Sequence, residues 1–135
     1  MQIFPNTRAS QRGPEDWFSG AVWIDAVVSP DDPTGLRAAR VSFEPGARTA
    51  WHKHPRGQAI LILSGTCHAQ AQGGALQELT AGQAGWFAPD EVHWHGAKAG
   101  CTMVHLAMQQ PDADGSVAMW MTHVTEAELK DAGAL

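Results

Sequence analysis

After Arg40 the chain breaks into short apolar runs separated by turn formers: Glu44-Pro45-Gly46, Ser64-Gly65, Gly73-Gly74, Ala81-Gly82, Pro89-Asp90 and Gly100. Runs of this length, spaced about 8 to 12 residues apart, are the mark of an all-β sandwich or barrel. The segments Gln58 to Ser64, Cys67 to Gln72, Leu76 to Thr80, Gly85 to Ala88, Val92 to His95 and Thr102 to Met108 are predicted strands, and Gly73-Gly74 a hairpin turn. Strand parity puts Gln58, Ile60 and Ile62 on one face. It likewise groups Met103, His105 and Ala107 against Val104, Leu106 and Met108.

Upstream, Gly20 to Val28 reads as a further strand, followed by a Pro/Asp loop, Ser29-Pro30-Asp31-Asp32-Pro33, and by a strand leading into Gly46. Residues 1–19 form an irregular arm. Near the other end Thr125-Glu126-Ala127-Glu128 fits a capping box, so a short C-terminal helix is expected. A chain of 135 residues suits one domain, 1–135, with its strand-rich core at about 41–109. Six tryptophans in so short a chain serve as core anchors, with some free to line a pocket or a subunit contact.

Composition supports the β reading, since 14 Gly, 8 Pro and only 17% charged residues favour turns over long helices. A net charge of −5 with scattered Lys and Arg gives no surface for phosphates, so nucleic acid is excluded as an expected partner. The stretch MQIFPNTRASQ has no signal-peptide pattern, and the run Ala59 to Leu63 is far too short to span a bilayer. A cytoplasmic protein without membrane contact is expected. Cys67 and Cys101 are expected to be reduced, structural thiols.

The chemistry concentrates in the histidines. On a strand, His52 and His54 point to one centre while Trp51 and Lys53 point away, and Gln58 brings an amide oxygen within reach from the next strand. His93-Trp94-His95 repeats the alternation and offers a third imidazole. Several buried imidazoles without partners would be costly, whereas one shared divalent ion satisfies them together. The expected ligands are His52, His54, Gln58 and His93. Imidazole nitrogen accepts Mn, Fe, Co, Ni, Cu or Zn.

The spacing G-x5-H-x-H-x3-[E/Q]-x6-G, running from Gly46 to Gly65, resembles the first cupin motif with Gln58 where Glu is usual. The second motif is matched by Gly82 and His93, while Pro89 lies one place late, Asp90 replaces Gly and Ala97 replaces Asn. The resemblance implies a cupin double-stranded β-helix, a jelly-roll barrel with the metal inside, usually a homodimer or homotetramer. A narrower resemblance is to the small bacterial cupins that include manganese-dependent hydroxynitrile lyases. It rests on Phe43-Glu44-Pro45-Gly46-Ala47-Arg48-Thr49-Ala50-Trp51-His52, Gln58, Trp86-Phe87, His93-Trp94-His95-Gly96, His105, Gly13-Pro14 to Gly20, and Trp120-Met121 to Thr125. It favours Mn, with Fe, Zn, Ni or Co as other occupants, and a small-molecule substrate.

A neutral Gln58 leaves a divalent ion its full +2 charge, which strengthens it as a Lewis acid and disfavours oxidation. That favours reactions in which the metal polarises a substrate oxygen, and the resemblance implies reversible cyanohydrin cleavage to a carbonyl compound and cyanide, with His105 as base and His95, at the cavity mouth, as a second catalytic candidate. A small metal-dependent dioxygenase and a non-catalytic ligand-binding cupin are the alternatives. Ala39 or Val41, and Gln109 or Met108, are placed near the site by topology. Trp51 and Arg48 are assigned to packing and a loop hydrogen bond, His68 and His123 to structural or surface roles, and Arg56 to solvent.

Overall fold

The alternating runs become twelve strands and one helix in the computed structural model, which describes residues 1–135. The strands are β1 (Gln11–Arg12), β2 (Phe18–Ser19), β3 (Val22–Val28), β4 (Arg37–Phe43), β5 (Arg48–Thr49), β6 (His52–Lys53), β7 (Gln58–Ala71), β8 (Gln77–Thr80), β9 (Ala84–Phe87), β10 (His93–Ala97), β11 (Met103–Gln109) and β12 (Met119–Trp120), followed by helix α1 (Glu126–Ala132). Every pairing is antiparallel. One layer runs β1-β3-β4-β11-β7, with β9 on the other edge of β7. The second continues from β7 through β10 to β5 and β2, with β8 also on β7, and with β6 joining β10 to β12. No helix is long and apolar enough to cross a membrane.

The main departure from the sequence reading lies in β7. Ser64-Gly65, expected as a turn between two strands, sits in the middle of one strand of 14 residues. Gly65 has φ +75°, and a Cβ there would lie 1.9 Å from the Thr102 carbonyl oxygen, so only glycine fits. Gly65 pairs with Met103 and Ser64 with Val104, but His105 pairs with Ile62, leaving Leu63 as an extra residue. That bulge bends the strand so that its first half belongs to one layer and its second half to the other. The chain changes sheets here without reversing.

Parity holds elsewhere. Gln58, Ile60 and Ile62 face inward with Met103, His105 and Ala107, whereas Val104, Leu106 and Met108 are only partly covered. These inward residues join Phe18, Val22, Val41, Phe43 and Phe87 in the main core. A second, smaller core forms outside the barrel, where Trp51 and Trp94 pack under Val124, Leu129 and Ala134. β10 is thus covered on both faces, and all of His93–Ala97 is buried. Residues 1–19, expected to be irregular, contribute β1 and β2 to the two layers.

The predicted helix forms on the predicted cap. The Thr125 hydroxyl accepts the Glu128 N–H at 3.2 Å, and the Glu128 carboxylate accepts the Thr125 N–H at 2.8 Å. The indole Nε1 of Trp51 donates to Glu128 at 3.3 Å, which fastens the cap to the barrel. Gly133, at φ 78°, closes the C-terminus by donating to the carbonyls of Leu129 and Lys130.

Candidate metal centre

Five imidazoles and one amide come together inside the barrel. His52 on β6 pairs directly with His93 on β10, and their ring centroids are 4.3 Å apart. His54, just beyond β6, lies 5.1 Å from His52 and 5.7 Å from His93 by ring centroids. Gln58 opens β7 and places its Oε1 3.3 Å from the His93 Nε2. The ring nitrogens of His52, His93 and His95 lie within 4.8 Å of one another. His105 reaches in from β11, with its Nε2 3.2 Å from the His95 Nδ1.

Backbone carbonyls define which ring nitrogen carries the proton. His52 Nδ1–H donates to the Ala50 carbonyl at 2.9 Å, His54 Nδ1–H to Val117 at 2.8 Å, and His93 Nδ1–H to Glu91 at 2.8 Å. A carbonyl can only accept, so each neutral ring turns an unprotonated Nε2 towards the interior. Gln58 adds another lone pair, because its Nε2 donates outward to the Gln109 Oε1 at 3.1 Å and leaves Oε1 facing His93. The inward Nε2 of His54 is buried and has no hydrogen-bond partner. Four acceptors facing one another with no proton between them fit a cation, and this carbonyl support is the usual second layer of a histidine metal site.

Burial drives the histidines towards the neutral form a metal ligand requires. It is the largest cause for all five. His52 is held well below its ordinary range by burial and then by neighbouring His93, and His95 by burial and then by His105. Burial lowers His54 as well, and pushes His93 and His105 down to about 4. His95 and His105 differ from the other three rings in their support. His95 Nδ1 meets the His105 Nε2 instead of a carbonyl, and His95 Nε2 and His105 Nδ1 are buried and unpartnered.

His52, His54, Gln58, His95 and His105 line a cavity of about 400 Å³ whose remaining wall is mostly apolar, while His93 is fully buried and does not line it. Ala39, Val41 and Gln109 border it, as does His95, whereas Met108 turns to the other face of β11. Trp120 forms another wall, stacked on His52 at 4.4 Å between centroids and on Trp17 at 5.0 Å. Phe87 lies flat against His93 at 3.6 Å. These aromatic supports were absent from the expected site, although the abundance of tryptophan hinted at pocket walls. The carbonyls of Ala50, Glu91 and Val117 have no residue-type signature at all.

The poorly matching loop around Pro89 keeps a glycine-like conformation without glycine. Asp90 has φ 61°, its N–H donates to the His54 carbonyl at 2.9 Å, and its carboxylate lies 3.6 Å from Lys53 Nζ. The loop thus braces the His54 backbone. Outside the cavity, His68 bonds to Glu78 at 3.3 Å and His123 to Ser19 at 3.3 Å, while Arg56 is exposed. Arg48 donates to the carbonyl of Val124 at 3.0 Å. Cys67 and Cys101 are free, and burial pushes the Cys67 thiol up to about 12.

Residues 39–107 match the Cupin domain family. The chain is a cupin. It is 47% identical over 124 residues to an (R)-mandelonitrile lyase of Granulicella tundricola, an alignment covering 92% of this cupin and 94% of the relative. Among solved structures, a cupin-like protein from Thermotoga maritima superposes with a TM-score of 0.85 at 32% identity, covering 96% of this chain and 97% of that one. The acetylacetone dioxygenase of Acinetobacter johnsonii shares the fold, with a TM-score of 0.64 at 14% identity over 98% of this cupin and 89% of that chain.

Proposed function

We propose that this cupin is a metal-dependent hydroxynitrile lyase that splits (R)-mandelonitrile and related cyanohydrins reversibly into a carbonyl compound and cyanide. The carrying observation is the convergence of the unprotonated Nε2 atoms of His52, His54 and His93 with Gln58 Oε1, beside the buried His95–His105 pair. These four residues would hold one divalent transition metal, with Mn favoured. When bound, the ion supplies Lewis acidity towards a substrate oxygen. The (R)-mandelonitrile lyase relative supports the reaction class.

The chain's own residues carry the proton. His105, the expected base, works jointly with His95, the second catalytic candidate. Burial keeps both rings neutral at neutral pH, the form an acceptor needs. The pair takes the substrate's hydroxyl proton, the electrons of that O–H bond form the carbonyl, and the C–CN bond breaks with its electrons leaving on cyanide. Returning the proton yields hydrogen cyanide and resets the pair. Apolar walls formed by Ala39, Val41, Phe43 and Trp120 suit an aromatic or aliphatic carbonyl product and keep water away.

The test is benzaldehyde and cyanide formation from (R)-mandelonitrile by manganese-loaded protein, run with and without dioxygen. No release above background removes the proposal, and strict dependence on dioxygen moves the site to oxygenase chemistry. Two variants separate the ligand from the proton roles. His54→Ala is expected to lose metal, whereas His95→Ala is expected to retain it and lose turnover. We also propose that the chain works in the cytoplasm as a homodimer or homotetramer.

A further inference from the structure

Gln58 differs from the three histidines in having no backbone carbonyl to orient it. Its amide can present either end to the interior, and the two ends are electrostatic opposites: Oε1 attracts a cation, while Nε2–H2 repels one. What decides the matter is the side chain across the ladder. Gln109, the last residue of β11, pairs in register with Gln58, the first of β7, and both side chains face the cavity. Gln109 Oε1 accepts from Gln58 Nε2 at 3.1 Å, which leaves Gln58 Oε1 turned to the His93 Nε2 at 3.3 Å.

We propose that Gln109 is a positioning residue for the metal centre, setting which end of the Gln58 amide faces the ion by accepting a hydrogen bond from the other end. The inference rests on the metal-site reading above. The two amides act as a coupled pair: rotating Gln58 so that its NH2 points inward would set its oxygen against the Gln109 oxygen, unless Gln109 rotated too. Gln109 is therefore a switchable support, weaker than a carbonyl and replaceable by a group that can only accept. A carboxylate at 109 would allow one orientation of Gln58 alone, the one with Oε1 inward.

The decisive measurement is Co(II) binding by chelator-treated protein, followed by its visible absorption, with no substrate and no turnover involved. Gln109→Leu fills a similar volume without an acceptor and is expected to weaken binding about tenfold and to change the absorption bands, in line with outer-layer substitutions at metal sites. Gln109→Glu is expected to bind at least as tightly as the unaltered chain, with similar bands. The metal-free leucine variant is expected to melt a few degrees lower, because the buried Gln58 amide loses its acceptor, so affinities are compared at a temperature where both proteins are folded. If the leucine variant does not fold, Gln109→Asn, whose shorter side chain falls short of Gln58, takes its place with the same expectation.

Unaltered affinity and bands in Gln109→Leu would overturn the proposal. So would a loss in Gln109→Glu equal to that in the leucine variant, since carboxylate rescue is what distinguishes orientation from packing. Failure of the unaltered protein to bind Co(II) would overturn the metal site itself, a result separate from either of these. Cyanide release plays no part, so a wrong substrate class leaves the outcome legible.

Discussion

At the scale of single residues, the site depends on who carries the protons. His52, His54 and His93 are legible as candidate ligands because strand parity aligns them, and Gln58 because it opens β7 on its inward face. Their orientation is not legible, since it comes from the carbonyls of Ala50, Val117 and Glu91, and any residue supplies a carbonyl. The His95–His105 contact is equally hidden: parity says that each faces inward, but not that β10 and β11 bring them to 3.2 Å. Gln58 also invites the sharpest substitution. Gln58→Glu is expected to retain metal but to lower kcat for cyanohydrin cleavage about tenfold, because a carboxylate lowers the net charge of the site and weakens its Lewis acidity. Metal content and steady-state rates on the same preparation check it, and an unchanged rate would remove the charge argument.

At the scale of elements, β7 and α1 teach opposite lessons. The helix was readable to its cap because the capping box is a local device whose two partners are three residues apart. The bend in β7 is not legible because Ser-Gly looks alike whether positive φ reverses a chain or merely kinks it, and the pairing partners that distinguish the two are distant in sequence. Gly65→Ala is expected to destabilise the fold by more than about 1 kcal/mol, from the left-handed backbone and from the clash with the Thr102 carbonyl. Urea unfolding measures that. The cap gives a pH prediction as well. Hydrogen bonds from the Thr125 backbone hold Glu128 below the ordinary carboxylate value of 4.5, so its contribution is complete above that pH and disappears as pH falls through the lowered value. Comparing Glu128→Gln with the unaltered protein by thermal melts from pH 6 to pH 3 should show a stability gap that closes with acid.

At the scale of the whole molecule, the fold class, the single short helix and the inward stripe of residues were legible, while the sharing of β7 between two sheets was not. Metal binding at the proposed site should be felt throughout, because the proposed ligands come from β6, the turn after it, β7 and β10. At free metal 100-fold above the dissociation constant, binding to the folded state alone adds ~2.7 kcal/mol. Chelator treatment is therefore expected to lower the melting temperature by several degrees, reversibly on adding metal, as calorimetry would record. The outward face of the first layer carries exposed Trp86 and Leu63, an apolar surface that suits burial between copies of the chain. For the proposed dimer or tetramer assembled through that face, Trp86→Glu is expected to give a smaller species in light scattering, and an unaltered mass would remove that face from the assembly.

The matched family region ends at residue 107, yet the site does not. Val117 orients His54, Trp120 lies on His52, and both border the cavity from a segment beyond that boundary. Trp17, Phe18 and Ile24 close in from the opposite end of the chain. The barrel thus resembles a socket whose fitting is supplied by its two tails. Exchanging residues 110–121 for the equivalent stretch of another small cupin would transplant the shape of the pocket and the grip on the proposed ion in one piece, with β1 to β11 left as they are.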